Sequence, residues 1–372
     1  MKCRLFCKTF LIFLLLNFLN LQVKAGELYE FYNGARQMGM GGATIATVND
    51  ETALFANPAA LGKLRDSFIT VADPEIDYGE VNSEIATGTG ILDAFSLQGV
   101  VDKLNVSKDK HFHLRAQFSP SLVLANFGIG VYEKYSVDGE IKTSPNQLEL
   151  NYRNDLAFVI GYCLRIWDGR IKFGFNAKYI SRLEIDNSQH TIAPTVTGLS
   201  ASNNASEGAG ISADVGLILA APWALLPTLA IVAHDVGDTE FTAGTGFMYG
   251  TSATRPKKVS QTYDAALAIF PIVGSRTRTT VTLEARDVTN VLTESDGTQI
   301  TDPYKKYHAG VEFNIQDMFF IRGGMNQHYW TAGLEFAYDR FQFQISSYGE
   351  DIGTGTNNRE DRRYSAKFAY RF

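Results

Sequence analysis

Cysteine is nearly missing from this 372-residue chain: there are three, and two of them, Cys3 and Cys7, stand close to the N-terminus. Beyond that region only Cys163 is left, so no internal disulfide can hold the fold. Excess positive charge is missing too. The 34 Lys and Arg residues stand against 40 Asp and Glu, a formal charge of -6, which argues against nucleic acid as a partner. A long apolar helix is the third absence. The apolar run over residues 10–16, resuming at Phe18 and Leu19, falls short of the about 20 residues that a transmembrane helix needs. There is also no G-x-S-x-G elbow and no ordered Ser, His and acid set, which argues against an enzyme. His111 and His113 flank Phe112, and His234 precedes Asp235. Neither arrangement has the spacing of a metal site, and strand alternation sends adjacent residues to opposite faces, so the sequence assigns no metal ligand and no cofactor.

What is present begins with a leader. Lys2, Arg4 and Lys8 precede the short apolar run, and Val23-Lys24-Ala25 places small residues before Gly26. This pattern predicts a secretory signal peptide over residues 1–25, cleaved after Ala25. Cys3 and Cys7 do not sit in the small-residue setting of a lipoprotein box. Cleavage removes four bases and no acid, leaving 30 bases against 40 acids, a net charge of about -10.

Most of the remainder alternates with period two. Leu156, Phe158, Ile160, Tyr162, Leu164 and Ile166 share one face, while Asp155, Ala157, Val159, Gly161, Cys163 and Arg165 share the other. Similar patterns follow a turn at Asp168-Gly169 and recur around Val281 and Val311. The periodicity predicts fourteen strands of around 10 residues or more, long enough to cross a bilayer at a tilt. Their expected starts are Ser67, Lys110, Phe127, Gln147, Gly169, Gly208, Leu226, Lys257, Arg276, Tyr304, Met318, Tyr329, Phe341 and Arg362. Connections after even-numbered strands are short and those after odd-numbered strands mostly long, with the one before Tyr329 an exception. That is the pattern of a 14-stranded antiparallel transmembrane β-barrel, an all-β fold with both ends in the periplasm.

Charge decides which face is which. Turning Arg278, Glu284 and Arg286 toward lipid costs about 2 to 4 kcal/mol for a midplane Arg, so the charged face lines the lumen. The expected lumen carries Arg115, Arg153, Arg165, Lys172, Lys178, Arg278, Arg286, Arg322 and Lys367 with Asp155, Asp214, Asp264, Glu284, Glu312 and Glu335. These either line an aqueous or amphipathic path or pair across strands and with the N-terminal segment. Parity from Ile129 and Val131 sends Glu133 into lipid, and a bulge near Tyr132 is expected to turn it away.

The final strand places Tyr364, Ala366, Phe368, Tyr370 and the terminal Phe372 on one face. This resembles the C-terminal signal read by the outer-membrane barrel assembly machinery. It implies that machinery as a partner, outer-membrane lipid as the solvent, and the cell outer membrane of a Gram-negative-type bacterium as the location.

Residues 34–62 differ from everything after them. They read GARQMGMGGATIATVNDETALFANPAALG and end in a small helix with Asn57 as cap, Pro58 at its first position and Gly62 as stop. The glycines lack the spacing and the preceding strand that phosphate binding requires. The run Gly34-Ala35-Arg36, Gly39-Met40-Gly41-Gly42-Ala43, Asn49-Asp50, Ala53 and Asn57-Pro58-Ala59-Ala60-Leu61 resembles the N-terminal hatch of the FadL/TodX-type long-chain fatty-acid transporter superfamily. It is equally similar to the PorV-like barrels of that superfamily. The resemblance implies a hatch over residues 26–66 that plugs a barrel over residues 67–372, with Asn57, Pro58 and Ala59 as the recurrent motif. It implies either passive entry of a fatty acid or other hydrophobic ligand through the hatch-plugged lumen, or a non-conducting barrel that binds or tethers secreted proteins. In the first outer loop, Ile91, Leu92, Phe95, Val100, Val101 and Leu104 recur at helical spacing. The resemblance makes this segment a greasy landing groove for ligand; the plain reading is a helix packed on the barrel rim.

Overall fold

The computed structural model describes residues 30–80, 95–186, 192–250, 253–272, 277–292, 300–353 and 357–372. Strand β1 runs over Phe68–Ala72 and continues as Glu75–Gly79. Strand β2 runs over Phe112–Phe118 and continues as Ser121–Leu124. Then follow β3 (Phe127–Lys142), β4 (Gln147–Ile166), β5 (Ile171–Ile185), β6 (Ser206–Ala220) and β7 (Thr228–His234). The second half holds β8 (Thr262–Ile269), β9 (Thr277–Ala285), β10 (Tyr307–Ile315) and β11 (Phe319–Asn326). Strands β12 (Tyr329–Tyr338), β13 (Phe341–Asp351) and β14 (Glu360–Arg371) complete it. Each strand pairs antiparallel with its sequence neighbours, and β14 returns to β1 through Arg363↔Gly79 and Thr70↔Arg371. The wall is a closed barrel of fourteen antiparallel strands. No helix among the described residues is long and apolar enough to cross a membrane.

Two prolines divide strands without opening the wall. Pro74 lies between the halves of β1 and Pro120 between those of β2, since proline brings no N–H to the ladder. Their carbonyls still serve it: Phe368 N donates to Pro74 O at 3.1 Å and Val131 N to Pro120 O at 3.0 Å. A register shift marks a bulge between Thr70 and Ala72.

No bulge occurs at Tyr132. The β3–β4 ladder is continuous from Phe127↔Tyr162 to Lys142↔Gln147, so Glu133 faces outward and is exposed, against the sequence expectation. Its level explains this. Glu133 lies opposite Leu156, which lies opposite Ser181, and the Ser181 hydroxyl accepts from Phe247 N at 3.0 Å. Connecting loops therefore reach the outer wall at that height, and a charge at a membrane interface costs only about 0 to 1 kcal/mol.

The wall is uneven in height. Strands β3 to β6 have 16, 20, 15 and 15 residues, whereas β9 to β12 have 9, 9, 8 and 10. Twenty residues tilted at 40° rise about 50 Å, well beyond an apolar band of about 25 Å. The outward side chains register the difference. Phe158, Ile160 and Leu164 in the lower part of β4 are 48, 52 and 46% exposed, while Leu148 and Leu150 near its top are 2 and 0% exposed. The upper residues are covered by protein instead of lipid, in an apolar cluster with Leu183 and Ile185 of β5 and with helix Leu97–Val106. Ser96 caps that helix by accepting from Gly99 N at 3.3 Å.

Candidate functional site

The candidate site is the interior of the barrel and the segment that fills it. Asn57 is wholly buried. Its Oδ1 accepts from Ala59 N at 3.0 Å, as a cap does, and its Nδ2 donates to the Ile45 carbonyl at 2.7 Å, tying the two ends of the segment together. Pro58 starts the helix, which is a 3-10 helix over Pro58–Lys63. Gly62 lies inside it instead of stopping it. The reason for glycine there is proximity, because a Cβ would stand 2.6 Å from Cys163 Sγ.

The wall makes room for this turn. A Cβ on Gly216 of β6 would meet Asn57 Oδ1 at 2.2 Å, and one on Gly174 of β5 would meet the Pro58 and Ala59 backbone at 2.2 Å. Around these glycines, Ala157, Val159, Ile218, Ala230, Val232, Ala266 and Ala268 form the inner face of β4 to β8. They pack on Leu54, Phe55, Ala59, Ala60 and Leu61 of the segment. The part of the lumen around this turn is therefore small and apolar.

The rest of the lumen is charged. Glu284 Oε2 accepts from the backbone N–H of Thr44 at 2.7 Å and of Ile45 at 3.0 Å. Arg286 of the connection after β9 donates to the Gly42 carbonyl. Gly41 and Gly42 have φ of +67° and +84°, and a Cβ on Gly41 would lie 2.3 Å from the Ala309 carbonyl, so glycine alone suits this turn. Arg36 pairs with Asp50 and with Glu312 at 3.2 Å. Burial works against ionisation of Asp50, but the Arg36 charge and hydrogen bonds from Thr52 and Arg36 hold its carboxyl well below the usual range. At the inner end, burial beside Arg36 and Lys172 pushes the Lys63 ammonium down to about 7, and it donates to the Ala46 carbonyl at 3.0 Å.

Most of the expected lumen charges form ion pairs, several of them with residues the sequence reading did not place there. Arg115 meets Asp77 at 2.6 Å, Lys178 meets Asp214, Arg182 meets Asp155 and Arg322 meets Glu312, each at 2.7 Å. Arg165 and Arg278 do not belong to this interior. Both are exposed at the inner end of their strands, and Arg278 pairs with Asp317 at 3.5 Å, where a long side chain reaches water. The histidines join the network: His113 Nδ1 and Asp138 Oδ1 are 2.6 Å apart, and His234 lies 3.3 Å from Asp264. Sequence spacing missed these partners because they come from other strands.

Where apolar and charged parts of the lumen meet lies a cavity of about 60 Å³. Phe31, Ile45 and Phe55 supply an apolar side, and His234, Asp264 and Glu284 a polar one.

The outer-loop residues lie elsewhere. Val100 and Leu104 are wholly buried in the cluster on the outer flank of β3 to β5, and Phe95 is 41% exposed with its ring 5.6 Å from that of Tyr135. Ile91 and Leu92 lie outside the described residues. On β14, Tyr364, Phe368 and Tyr370 point outward as alternation requires, and Phe372 exchanges two backbone hydrogen bonds with Ile69 of β1 at 3.0 and 3.1 Å.

No protein-family model matches the sequence, and no curated protein matches it. Solved structures do. The CymD monoaromatic hydrocarbon channel superposes with a TM-score of 0.53 at 12% identity, covering 91% of this chain and 96% of that one. The toluene transporter TodX of Pseudomonas putida superposes with a TM-score of 0.52 at 13% identity, covering 94% of this chain and 99% of that one. With a closed fourteen-strand wall and these likenesses, the chain has the fold of the FadL/TodX-type outer-membrane barrels.

Proposed function

We propose that this protein resides in the outer membrane of a Gram-negative-type bacterium and admits small hydrophobic molecules by passive diffusion. Residues 26–66 act as the hatch and residues 67–372 as the barrel. The observation that carries the reading is the cavity beside the segment, with aromatic and aliphatic side chains on one side and charged groups on the other. The likeness to a monoaromatic hydrocarbon channel and a toluene transporter adds the ligand class. A cavity of about 60 Å³ is smaller than the roughly 150 Å³ that holds benzene in a protein core. Passage therefore requires the hatch to move, and Glu284, Arg286 and Glu312 are the latches it must leave.

A cross-link tests this. A Cβ on Gly39 would stand 3.5 Å from Ser346 Cβ, the separation a disulfide spans. Cells bearing Gly39→Cys with Ser346→Cys, in a Cys163→Ser background, should take up radiolabelled toluene when reduced and lose most of that uptake when oxidised. Equal uptake in the two states would sink the hatch mechanism. A specific observation favours a second reading, a PorV-like barrel that binds secreted proteins and conducts nothing: the lumen charges are largely paired. Absence of uptake in both states, with a secreted protein recovered on cross-linking, is the outcome that selects it.

A further inference from the structure

On the low side of the wall three outer connections converge. Asp302 precedes the turn Pro303–Lys306, His328 stands in the tight turn between β11 and β12, and Asp351 ends β13. One ligand atom from each lies within 4.8 Å of the others. His328 Nε2 and Asp302 Oδ2 are 2.6 Å apart.

Both carboxylates have one oxygen committed to backbone. Asp302 Oδ1 accepts from Tyr304 N at 3.0 Å, and Asp351 Oδ1 accepts from Gly353 N at 2.9 Å and Arg359 N at 3.0 Å. Asp351 is only 1% exposed, yet its Oδ2 has no hydrogen-bond partner among the described residues. A buried carboxylate oxygen without a donor is costly, and a cation is what satisfies it. The imidazole is flanked by the rings of Tyr304 at 5.0 Å and Tyr329 at 6.1 Å. The nearby bases are engaged: Lys305 donates to the Gly353 carbonyl and Lys306 to the Asp287 carbonyl.

We propose that Asp302, His328 and Asp351 form a binding site for a divalent first-row transition metal such as zinc. One imidazole nitrogen and two carboxylate oxygens with a water make a tetrahedral set, and the backbone hydrogen bonds to the Oδ1 atoms hold the two carboxylates in orientation. Ligands about 2.0 to 2.2 Å from zinc stand about 3.3 Å apart at the tetrahedral angle, so the His328–Asp302 contact opens slightly on binding. Nε2 coordinates as the neutral imidazole, and any proton it carries passes to solvent. The metal adds a direct clip to three outer connections that already touch through Lys305 and the Gly353 carbonyl and through the Asp351 N–H donated to Gln327 Oε1 at 2.8 Å.

The test is a zinc chloride titration of the full-length barrel in detergent, followed by calorimetry and by the melting temperature. One zinc per barrel and a raised melting temperature are expected. Asp351→Asn and His328→Ala should each weaken binding at least about tenfold and abolish the melting shift, with heat-modifiable gel mobility showing that both variants are folded. No saturable binding, or equal binding by the native protein and folded Asp351→Asn, overturns the site.

Discussion

At the scale of single residues, the interior is governed by who can afford to be close to whom. Gly174 and Gly216 are not flexible joints; they are gaps in the wall that the Asn57-Pro58-Ala59 backbone occupies. Lys63 sits beside the cationic Arg36 and Lys172, and burial lowers its ammonium from an ordinary 10.5 to about 7. A base with a depressed folded pKa binds fewer protons than in the unfolded chain, so stability rises with pH between about 7 and 10.5 and the full penalty applies below. Lys63→Met should therefore melt above the native protein at pH 6, and the advantage should shrink toward pH 10. A difference that stays constant with pH would mean that the Lys63 ammonium is not destabilised by its setting.

At the scale of elements, the last strand both closes the wall and carries an aromatic end. The bonds between Phe372 and Ile69 are backbone bonds, which alanine also makes. The Phe372 ring is 52% exposed. Phe372→Ala should therefore lower the amount of barrel in the outer membrane severalfold while the barrel that does assemble melts nearly as before. Unchanged amounts of heat-modifiable barrel in membranes would count against an assembly signal. The strands themselves were legible in the sequence: Phe127, Gln147, Tyr329 and Phe341 begin β3, β4, β12 and β13 as alternation predicts. Alternation works there because one face meets lipid and the other a charged interior. It fails where the solvent changes along a strand. The outward face of upper β3 to β5 is as apolar as the lower part, so nothing in its periodicity announces that Val100 and Leu104 cover it from outside. The Asp302, His328 and Asp351 cluster was illegible for a different reason, since pairings around the wall bring together residues from three separate connections. Asn57 was readable because capping is local.

At the scale of the whole molecule, the wall and its filling are separate structures. Every strand is hydrogen-bonded on both sides by other strands, while residues 30–64 add contacts on the inner face only. Removing residues 34–64 should leave a folded barrel with an aqueous lumen, read as stable single-channel conductance in planar bilayers where the complete protein stays closed. A folded deletion variant that does not conduct would show that the wall side chains seal the lumen alone.

The uneven height of that wall sets a direction. Strands β3 to β6, backed by their flank of packed loops, stand taller than the rest of the wall like a screen, whereas β11 and β12 turn over within two residues, Gln327 and His328. Among the described residues the rim is thus lower at β11 and β12 than at β3 to β6. On the function proposed above, a hydrophobic molecule drifting in the outer leaflet would meet the low side at its own level and the high side as a barrier, so arrivals would be gathered from one half of the surrounding surface.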